Sequence, residues 1–271
     1  MVSKRFPNSR LLALIFIVCC NIICFTLILG CFDKNPINSD NSLKDTDKLN
    51  EAGFPLALGN RWVYSAETEI TFIYSDTTFT RREDSEVIWE ITAKEQVLGE
   101  EAFRVETTQH FLNRPDSSMT LLTWFAAEGD TLRAIASGPG AGRFWVAFQL
   151  HKISGSNQDE PDDWPVNVLI FPLEVGKEWA YWRPDPTFWD NKVVEAIDNV
   201  SVPAGNFEAF RIAYNLTADK VEYKSNQWFT SVGIVKATEN VEDDQGSTID
   251  EKLTKTIGKS TMSLVSYQIK K

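Results

Sequence analysis

The phrase FPLALGNRWVY at residues 54–64 recurs in modified form as FPLEVGKEWAYW at residues 171–182. Both copies follow the pattern Phe-Pro-Leu-x-x-Gly-x-x-Trp-x-Tyr. The proline favours an extended backbone, and the glycine allows a tight turn before the tryptophan. The Trp and Tyr are two positions apart and therefore fall on the same face of a β-strand. The phrase predicts the opening strand of a β unit that occurs twice, with Trp62 and Trp179 as matching core residues.

The similarity between the two halves extends beyond this phrase. Each half continues with a strand that contains Phe-Arg, then a strand that contains Trp-Phe, and then a glycine four residues after that Phe. The matching segments are VIWEITAKEQVLGEEAFRVETT (87–108) and TWFAAEGDTLRAI (123–135) in the first half, and VVEAIDNVSVPAGNFEAFRIAYN (193–215) and QWFTSVGIVKAT (227–238) in the second. We therefore predict an internal duplication of a unit of roughly 100 residues, a period far longer than that of solenoid repeats.

Short apolar runs bounded by Gly, Pro, Asp or Asn are typical of antiparallel strands, and no segment shows a sustained helical stripe. Such runs include EVIWEITA (86–93), TLLTWF (120–125), RFWVAFQL (143–150), FEAFRIAYNL (207–216) and MSLVSYQI (262–269). We expect an all-β fold of two related antiparallel units with curved, half-barrel or sandwich-like sheets and few short helices. The first unit spans 54–152 and the second 153–271, and they pack either as one domain or as two.

The first thirty residues form a separate segment. Lys4, Arg5 and Arg10 precede an apolar run at 11–29, which ends in Gly30 and Cys31. With Ile28-Leu29-Gly30-Cys31 as a lipobox, this segment resembles a bacterial lipoprotein precursor. The resemblance implies a signal peptide over 1–30, cleavage after Gly30, and a diacylglycerol thioether and an N-acyl chain such as palmitate on Cys31.

The alternative for this segment is an uncleaved transmembrane anchor, since about 20 apolar residues span a bilayer. In both cases the basic residues stay cytoplasmic, so that the rest of the chain is exported. The polar stretch after Cys31 predicts a flexible tether over 31–53. Phe32, in place of Asp after the cysteine, implies the outer membrane by the enterobacterial sorting rule, on its periplasmic or its surface face.

Charge and cysteine content exclude several classes of function. Residues 1–30 hold three of the 27 basic residues and none of the 38 acidic ones, so the mature part has a formal net charge of −14. Such a charge disfavours nucleic acid and anionic headgroups as partners. No cysteine follows Cys31, which excludes disulfides, thiol catalysis and Cys-ligated zinc in the folded part.

Motifs for catalysis are missing from the sequence. His110 and His151 are the two histidines, and neither lies in a hydrolase context. The segment GKST (258–261) imitates the end of a P-loop, but Leu253 stands where the first glycine is needed. Acidic loops at 159–163 and 242–246 lack EF-hand spacing. We therefore predict no catalytic residue, no cofactor site and no metal site.

The remaining candidates for recognition are aromatic. Trp164, Trp182 and Trp189 lie in a stretch rich in Pro and Asp, and exposed aromatic residues often contact a sugar face, a lipid or a protein. They are the predicted surface recognition residues, although a structural role in covering the end of a sheet is the alternative.

A second resemblance concerns VSVPAGNFEAFRI (200–212) and WFTSVGIVK (228–236), which are similar to phrases of uncharacterised envelope lipoproteins with curved sheets of the LolA/LolB lipoprotein-carrier type. It implies a fold and no activity. We expect a lipid-anchored, non-enzymatic envelope protein that binds an apolar ligand, a glycan or an envelope partner. A structural or assembly lipoprotein is the alternative, and a hydrolase comes third. A binding site is expected where the two copies differ.

Overall fold

The computed structural model describes residues 45–137, 165–185, 188–218, 221–244 and 252–270. Within these ranges, residues 45, 137, 182–185, 188–190 and 217–218 are described by their backbone alone. Cys31 and Trp164 lie outside the described residues, as does the strand predicted at 143–150.

The described residues form one helix and twelve strands. In chain order these are α1 (Asp45–Ala52), β1 (Arg61–Tyr74), β2 (Thr78–Val97), β3 (Glu100–Phe111), β4 (Ser118–Glu128), β5 (Thr131–Ser137), β6 (Val166–Ile170), β7 (Glu178–Asp185), β8 (Phe188–Val202), β9 (Gly205–Ala218), β10 (Val221–Thr230), β11 (Gly233–Asp243) and β12 (Leu253–Gln268). The predicted all-β fold is confirmed.

All twelve strands belong to one antiparallel sheet. Its order is β6-β5-β4-β3-β2-β1-β12-β11-β10-β9-β8-β7, so that β1 and β12 join the two halves at its centre. The sheet is strongly curved and nearly closes into a barrel. The described strands of both halves therefore share one sheet and one interior.

The two edge strands, β6 and β7, meet through side chains. The indole N–H of Trp179 donates to the Asn167 carbonyl at 3.0 Å, and the Asn167 amide donates to the Ala180 carbonyl at 3.3 Å. Lys192 on β8 extends past β7 and donates to the Val168 carbonyl on β6 at 3.3 Å. We call this junction the seam; among the described strands it is the place where side chains replace a backbone ladder.

The opening phrase has the same hydrogen bonds in both halves. The Gly59 N–H donates to the Ile91 carbonyl at 2.8 Å, and the Ile91 N–H donates back to the residue after Gly59 at 2.9 Å. Gly176 and Val194 make the same pair of bonds, also at 2.8 and 2.9 Å. Both glycines have positive φ, +79° and +90°, which glycine adopts without steric cost.

The β-bulges also recur at matching positions. The β2–β3 ladder shifts register just after Ile91, and the β8–β9 ladder shifts just after Val194. Further along, both Trp-Phe pairs mark a shift, at Trp124 in the β4–β5 ladder and at Trp228 in the β10–β11 ladder. Because bulges re-aim side chains, the two halves direct equivalent residues in the same way.

The interior is an apolar core in which both repeated tryptophans take part. Trp62 is 1% exposed and Trp179 is 6% exposed, which confirms them as core residues. The Trp62 indole N–H donates to the Val232 carbonyl, next to the turn at Gly233. Two large clusters of buried residues share Phe54, Leu56, Trp89, Phe125 and Met262 at their boundary. The apolar part of the interior is therefore continuous.

Helix α1 differs from the flexible tether that the sequence predicts over residues 31–53. Leu49 is fully buried against Leu132, Leu169 and Leu173. The Asn50 side chain exchanges two hydrogen bonds with the Leu173 backbone, at 2.9 and 2.6 Å. A single leucine in eight residues gives no apolar stripe. The helix is stabilised by tertiary contacts, which no local sequence pattern predicts.

The helix defines the two ends of the strands. The turns at 98–99, 129–130, 203–204 and 231–232 all lie at the end where α1 packs, and we call this the helix end. We call the opposite end the far end. Inward-facing residues become more exposed toward the far end; on β2, exposure rises from 8% at Glu83 to 57% at Phe79.

Candidate functional site

A continuous row of buried, mostly polar side chains crosses the inner face of seven adjacent strands from β8 to β2. Its members are direct cross-strand neighbours, and each is less than 9% exposed. They are Lys192, Tyr214, Ser225, Glu239, Ser260, Thr68 and Glu83. We call this set the polar row. Buried polar groups cost free energy unless they are hydrogen-bonded, and buried charges cost more.

The rows on either side are largely apolar. The next row toward the helix end has five apolar members and two polar ones, in the order Val194, Ile212, Gln227, Ala237, Met262, Ala66 and Ser85. Toward the far end lies a cluster in which Tyr214 of the polar row packs with Ile70, Tyr223 and Val241, and the half-buried Phe72, Tyr181, Leu216 and Val221 pack against it. The polar row is thus a layer between two apolar regions, where sheet construction alone would favour apolar residues.

Both carboxylates of the polar row have partners. The Tyr223 hydroxyl donates to the Glu239 carboxylate at 3.0 Å, and burial together with this carboxylate raises the pKa of Tyr223 well above its usual value. Glu83 accepts from Arg81 at 3.0 Å and also from Arg114. These pairs compensate for the burial of the two negative charges.

Lys192 differs from the two carboxylates. It is 2% exposed, and its ammonium group donates to the Val168 carbonyl and lies 4.5 Å from the centre of the Tyr181 ring. Among the side chains that the structure describes, no carboxylate forms an ion pair with it. Burial lowers the pKa of Lys192 from an ordinary 10.5 to about 7. A dipole and a ring face stabilise the cation only in part.

The first half places a different residue at the position of Lys192. Trp62 pairs with Trp89 across β1 and β2, and the equivalent Trp179 pairs with Lys192 across β7 and β8. In the first half, the Trp89 ring contacts the Tyr64 ring edge to face at 5.5 Å. In the second half, Lys192 contacts the equivalent tyrosine instead. The same register position therefore holds an aromatic residue in the first half and a lysine in the second.

A second concave feature lies at the helix end. A groove of about 380 Å³, half open to solvent, runs between the C-terminal end of α1, the β4–β5 turn and both Phe-Pro segments. It is lined by Asn50, Glu51, Ala52, Gly53, Phe54, Leu56, Ala127, Gly129, Asp130, Thr131, Leu132, Phe171 and Pro172. Asn50 is bonded to the Leu173 backbone, and the Asp130 carboxylate accepts from the Thr131 hydroxyl at 2.9 Å. These polar groups of the groove already have protein partners.

The predicted recognition residues remain predictions. Trp182 and Trp189 lie on adjacent strands, with Trp182 paired to Asp190, and their backbone alone is described. Trp164 and the predicted lipidation site Cys31 lie outside the described residues. His110 is on β3 and exposed, and the GKST segment is part of β12, which agrees with its rejection as a P-loop.

Two further properties hold for the described part of the chain. No group of three or more His, Cys, Asp or Glu side chains is placed to hold a metal ion there. None of its helices is long and apolar enough to cross a membrane.

The architecture is that of a nearly closed, antiparallel twelve-stranded sheet with an apolar core and a buried polar row. No protein-family model and no curated protein matches the sequence. Among solved structures, a protein from Bacteroides fragilis described as exported and YmcC-like in fold aligns with a TM-score of 0.42 and 12% identity, over 79% of this chain and 98% of its own. A protein from Parabacteroides distasonis described as a lipoprotein aligns with a TM-score of 0.39 and 10% identity, over 79% and 97%. At these scores and identities, neither similarity assigns an activity to this chain.

Sequence reasoning did not find Lys192. It stands in DNKVVEAI (190–197), where a lysine that directly follows Asp and Asn is typical of a strand edge or turn. The signal was present in the comparison of the two halves, because Ile91 aligns with Val194 and Trp89 therefore aligns with Lys192. The alignment needs the bulges and the turn hydrogen bonds to fix its register.

Proposed function

We propose that this chain is a lipid-anchored, non-enzymatic binding protein of the bacterial cell envelope, and that its barrel holds a small amphipathic ligand beside the polar row. The polar row is the observation that carries the proposal. A barrel of this kind gains stability from apolar interior residues, and polar residues retained inside a core are expected where a ligand needs them.

The surroundings of the polar row suit a ligand with one polar and one apolar part. Tyr214 lies beside Lys192 in the polar row and Ser225 follows one strand further, while Val194 and Ile212 on one side and Leu216 on the other are apolar residues of the interior. Ligand sites in proteins commonly combine an apolar lining with a few placed polar groups. The groove at the helix end is less suited, since its Asn50 amide and its Asp130 carboxylate are bonded within the protein.

The two halves are proposed to descend from one duplicated unit. Matching turns, matching bulges and the matching pairs Trp62–Trp89 and Trp179–Lys192 support this origin. In such a protein, residues common to both copies serve the shared fold. Residues that differ at equivalent buried positions, such as Lys192, are where a ligand contact is expected.

Native mass spectrometry of the full-length protein, purified from envelope membranes without harsh detergent, tests the binding function. We expect an adduct of small mass that denaturation releases. A protein mass without adduct, combined with crosslinks to a defined envelope protein in the same membranes, would instead favour an assembly role.

Metabolic labelling with a palmitate analogue tests the lipid anchor at Cys31. We expect label on the wild-type protein and none on Cys31→Ser. Unlabelled wild-type protein that keeps residues 1–30 would show that the apolar segment is an uncleaved anchor.

A further inference from the structure

We propose that Lys192 is the anchor for the carboxylate of an acyl-chain ligand inside the barrel. This inference rests on the proposed binding function and names the headgroup that the site recognises. Four observations support it, and each concerns a described residue.

The first observation is the incomplete compensation of a buried charge. The Lys192 ammonium can donate three hydrogen bonds, and the described residues supply one carbonyl, that of Val168, and one ring face, that of Tyr181. In the same row, Glu239 and Glu83 both have donors of their own. Among the described residues of the polar row, Lys192 is the only cation. A carboxylate placed beside it would supply further hydrogen-bond acceptors and a compensating negative charge.

The second observation is that the fold does not require a lysine. The equivalent position in the first half is Trp89, which packs against Tyr64 in the same register. Replacing an aromatic residue by a buried lysine sacrifices apolar contact and adds desolvation. Such a change is expected to persist only where the charge has a use.

The third observation concerns the neighbours of Lys192. Tyr214 stands directly beside it on β9, and Ser225 follows on β10, so hydroxyl groups lie within the same row. Burial of the row keeps water away, which strengthens a charged hydrogen bond. Val194 and Ile212, in the next row, are buried in the apolar core, which is the kind of environment that the chain of the ligand requires.

The fourth observation is the balance of charge, which selects the headgroup. The nearest carboxylate of the polar row is Glu239, three strands away, or about 14 Å at ordinary strand spacing. One ammonium compensates for one negative charge. A carboxylate is therefore matched, whereas a phosphate dianion would leave a second buried charge without a partner.

Equilibrium dialysis with the full-length protein in nanodiscs of neutral lipid tests the inference, with empty nanodiscs as the background. The probes are radiolabelled decanoate, decanol and decyl phosphate at pH 6, where Lys192 is charged. We expect decanoate to bind about 10- to 100-fold more tightly than decanol, the range for a hydrogen bond between charged groups. Decyl phosphate is about half dianionic at pH 6, so it is compared with decanoate at pH 7, where the dianion prevails and should bind more weakly.

The variants separate the anchor from the fold. Lys192→Met removes the charge, and Lys192→Gln keeps a donor for the Val168 carbonyl should the first variant fail to fold. Both are expected to bind decanoate no better than decanol. The matched control is Lys236→Met, since Lys236 also lies over a ring, that of Trp228 at 5.1 Å, on the outer face of the sheet. It should leave decanoate binding unchanged.

The outcomes distinguish the two levels of the proposal. If neither decanoate nor decanol binds above background, the binding function itself is refuted. If both bind equally, or if decanoate binds the Lys192 variants as well as the wild type, the anchor is refuted while the binding function stands. Tighter binding of decyl phosphate would overturn the choice of a carboxylate.

Discussion

Substitution of Lys192 by methionine should change how the stability of the ligand-free protein depends on pH. Burial lowers the pKa of Lys192 to about 7 in the folded protein, whereas the unfolded chain restores the ordinary 10.5. Between these values the unfolded state binds a proton that the folded state does not bind. The free energy of unfolding must therefore rise as the pH rises across this range.

The size of the effect follows from the two pKa values. At about 1.4 kcal/mol per pH unit, the full difference amounts to about 5 kcal/mol. Integration between pH 7 and pH 9 gives about 2 kcal/mol, because Lys192 is still half protonated at the lower pH. Methionine has a similar length and no charge, so Lys192→Met should lose this slope. At pH 7 the variant should be at least as stable as the wild type, since apolar replacements of poorly compensated buried charges are often stabilising.

Two buried tyrosines set the upper limit of the useful pH range. Burial raises the pKa of Tyr64, and burial together with Glu239 raises that of Tyr223. Above about pH 10 the unfolded tyrosines lose protons that the folded ones keep, which lowers stability as the pH rises. Measurements at pH 9 and below avoid this opposing contribution.

Urea unfolding, followed by tryptophan fluorescence at several pH values between 7 and 9, measures the difference. From pH 7 to pH 9, the free energy of unfolding of the wild type should rise by about 2 kcal/mol relative to that of Lys192→Met. The outer-face control, Lys236→Met, should follow the wild type. Parallel curves for the wild type and Lys192→Met would mean that Lys192 stays charged in the folded state, and the reasoning about its burial would be refuted.

Two more substitutions test the fold. Leu49→Ala should lower the free energy of unfolding by about 2–5 kcal/mol, because it leaves a cavity under α1. The control is Leu58→Ala, at a 48% exposed residue, which should change the free energy of unfolding by about 0.5 kcal/mol or less. Equal effects in urea unfolding would show that α1 does not pack as described. Gly233→Ala should destabilise more than Gly129→Ala, by about 1–3 kcal/mol, because a Cβ at Gly233 would lie 2.9 Å from the Trp62 Nε1 while one at Gly129 meets nothing within 4 Å. Equal melting temperatures for the two variants would contradict this contact.

Much of the fold was predictable because β-strands and tight turns each require a local pattern of residues in the sequence. The alternation in EVIWEITA (86–93) and the glycines at the turns identified strands and hairpins, since side chains alternate between faces and only glycine tolerates some turn angles freely. Gly129 and Gly233 indeed have φ values of +59° and +107°. The repeated Trp62 and Trp179 were identifiable as core because they recur in one phrase.

Other features depend on contacts between distant parts of the chain. Helix α1 exists because Leu49 and Asn50 meet residues more than 80 positions away, so its sequence resembles that of a solvated tether. The polar row was not predictable from single strands. Each strand contributes a polar residue to it, and only the register of seven strands shows that these residues are neighbours.

The seam and Lys192 are two differences between the halves, and they lie at the same place in the sheet. If the halves were fully equivalent, β6 and β7 would pair as β12 and β1 do, since each is the last strand of one half beside the first strand of the other. Instead, the described part of β6 meets β7 through Trp179 and Asn167, and Lys192 occupies the position of Trp89 while it reaches the β6 backbone. Trp89, at the corresponding position of the first half, contacts the Tyr64 ring instead. Side-chain contacts in place of a ladder and a buried cation therefore occur at one place, which is where a ligand could exchange its own oxygen atoms for that carbonyl without breaking the sheet that the two halves share.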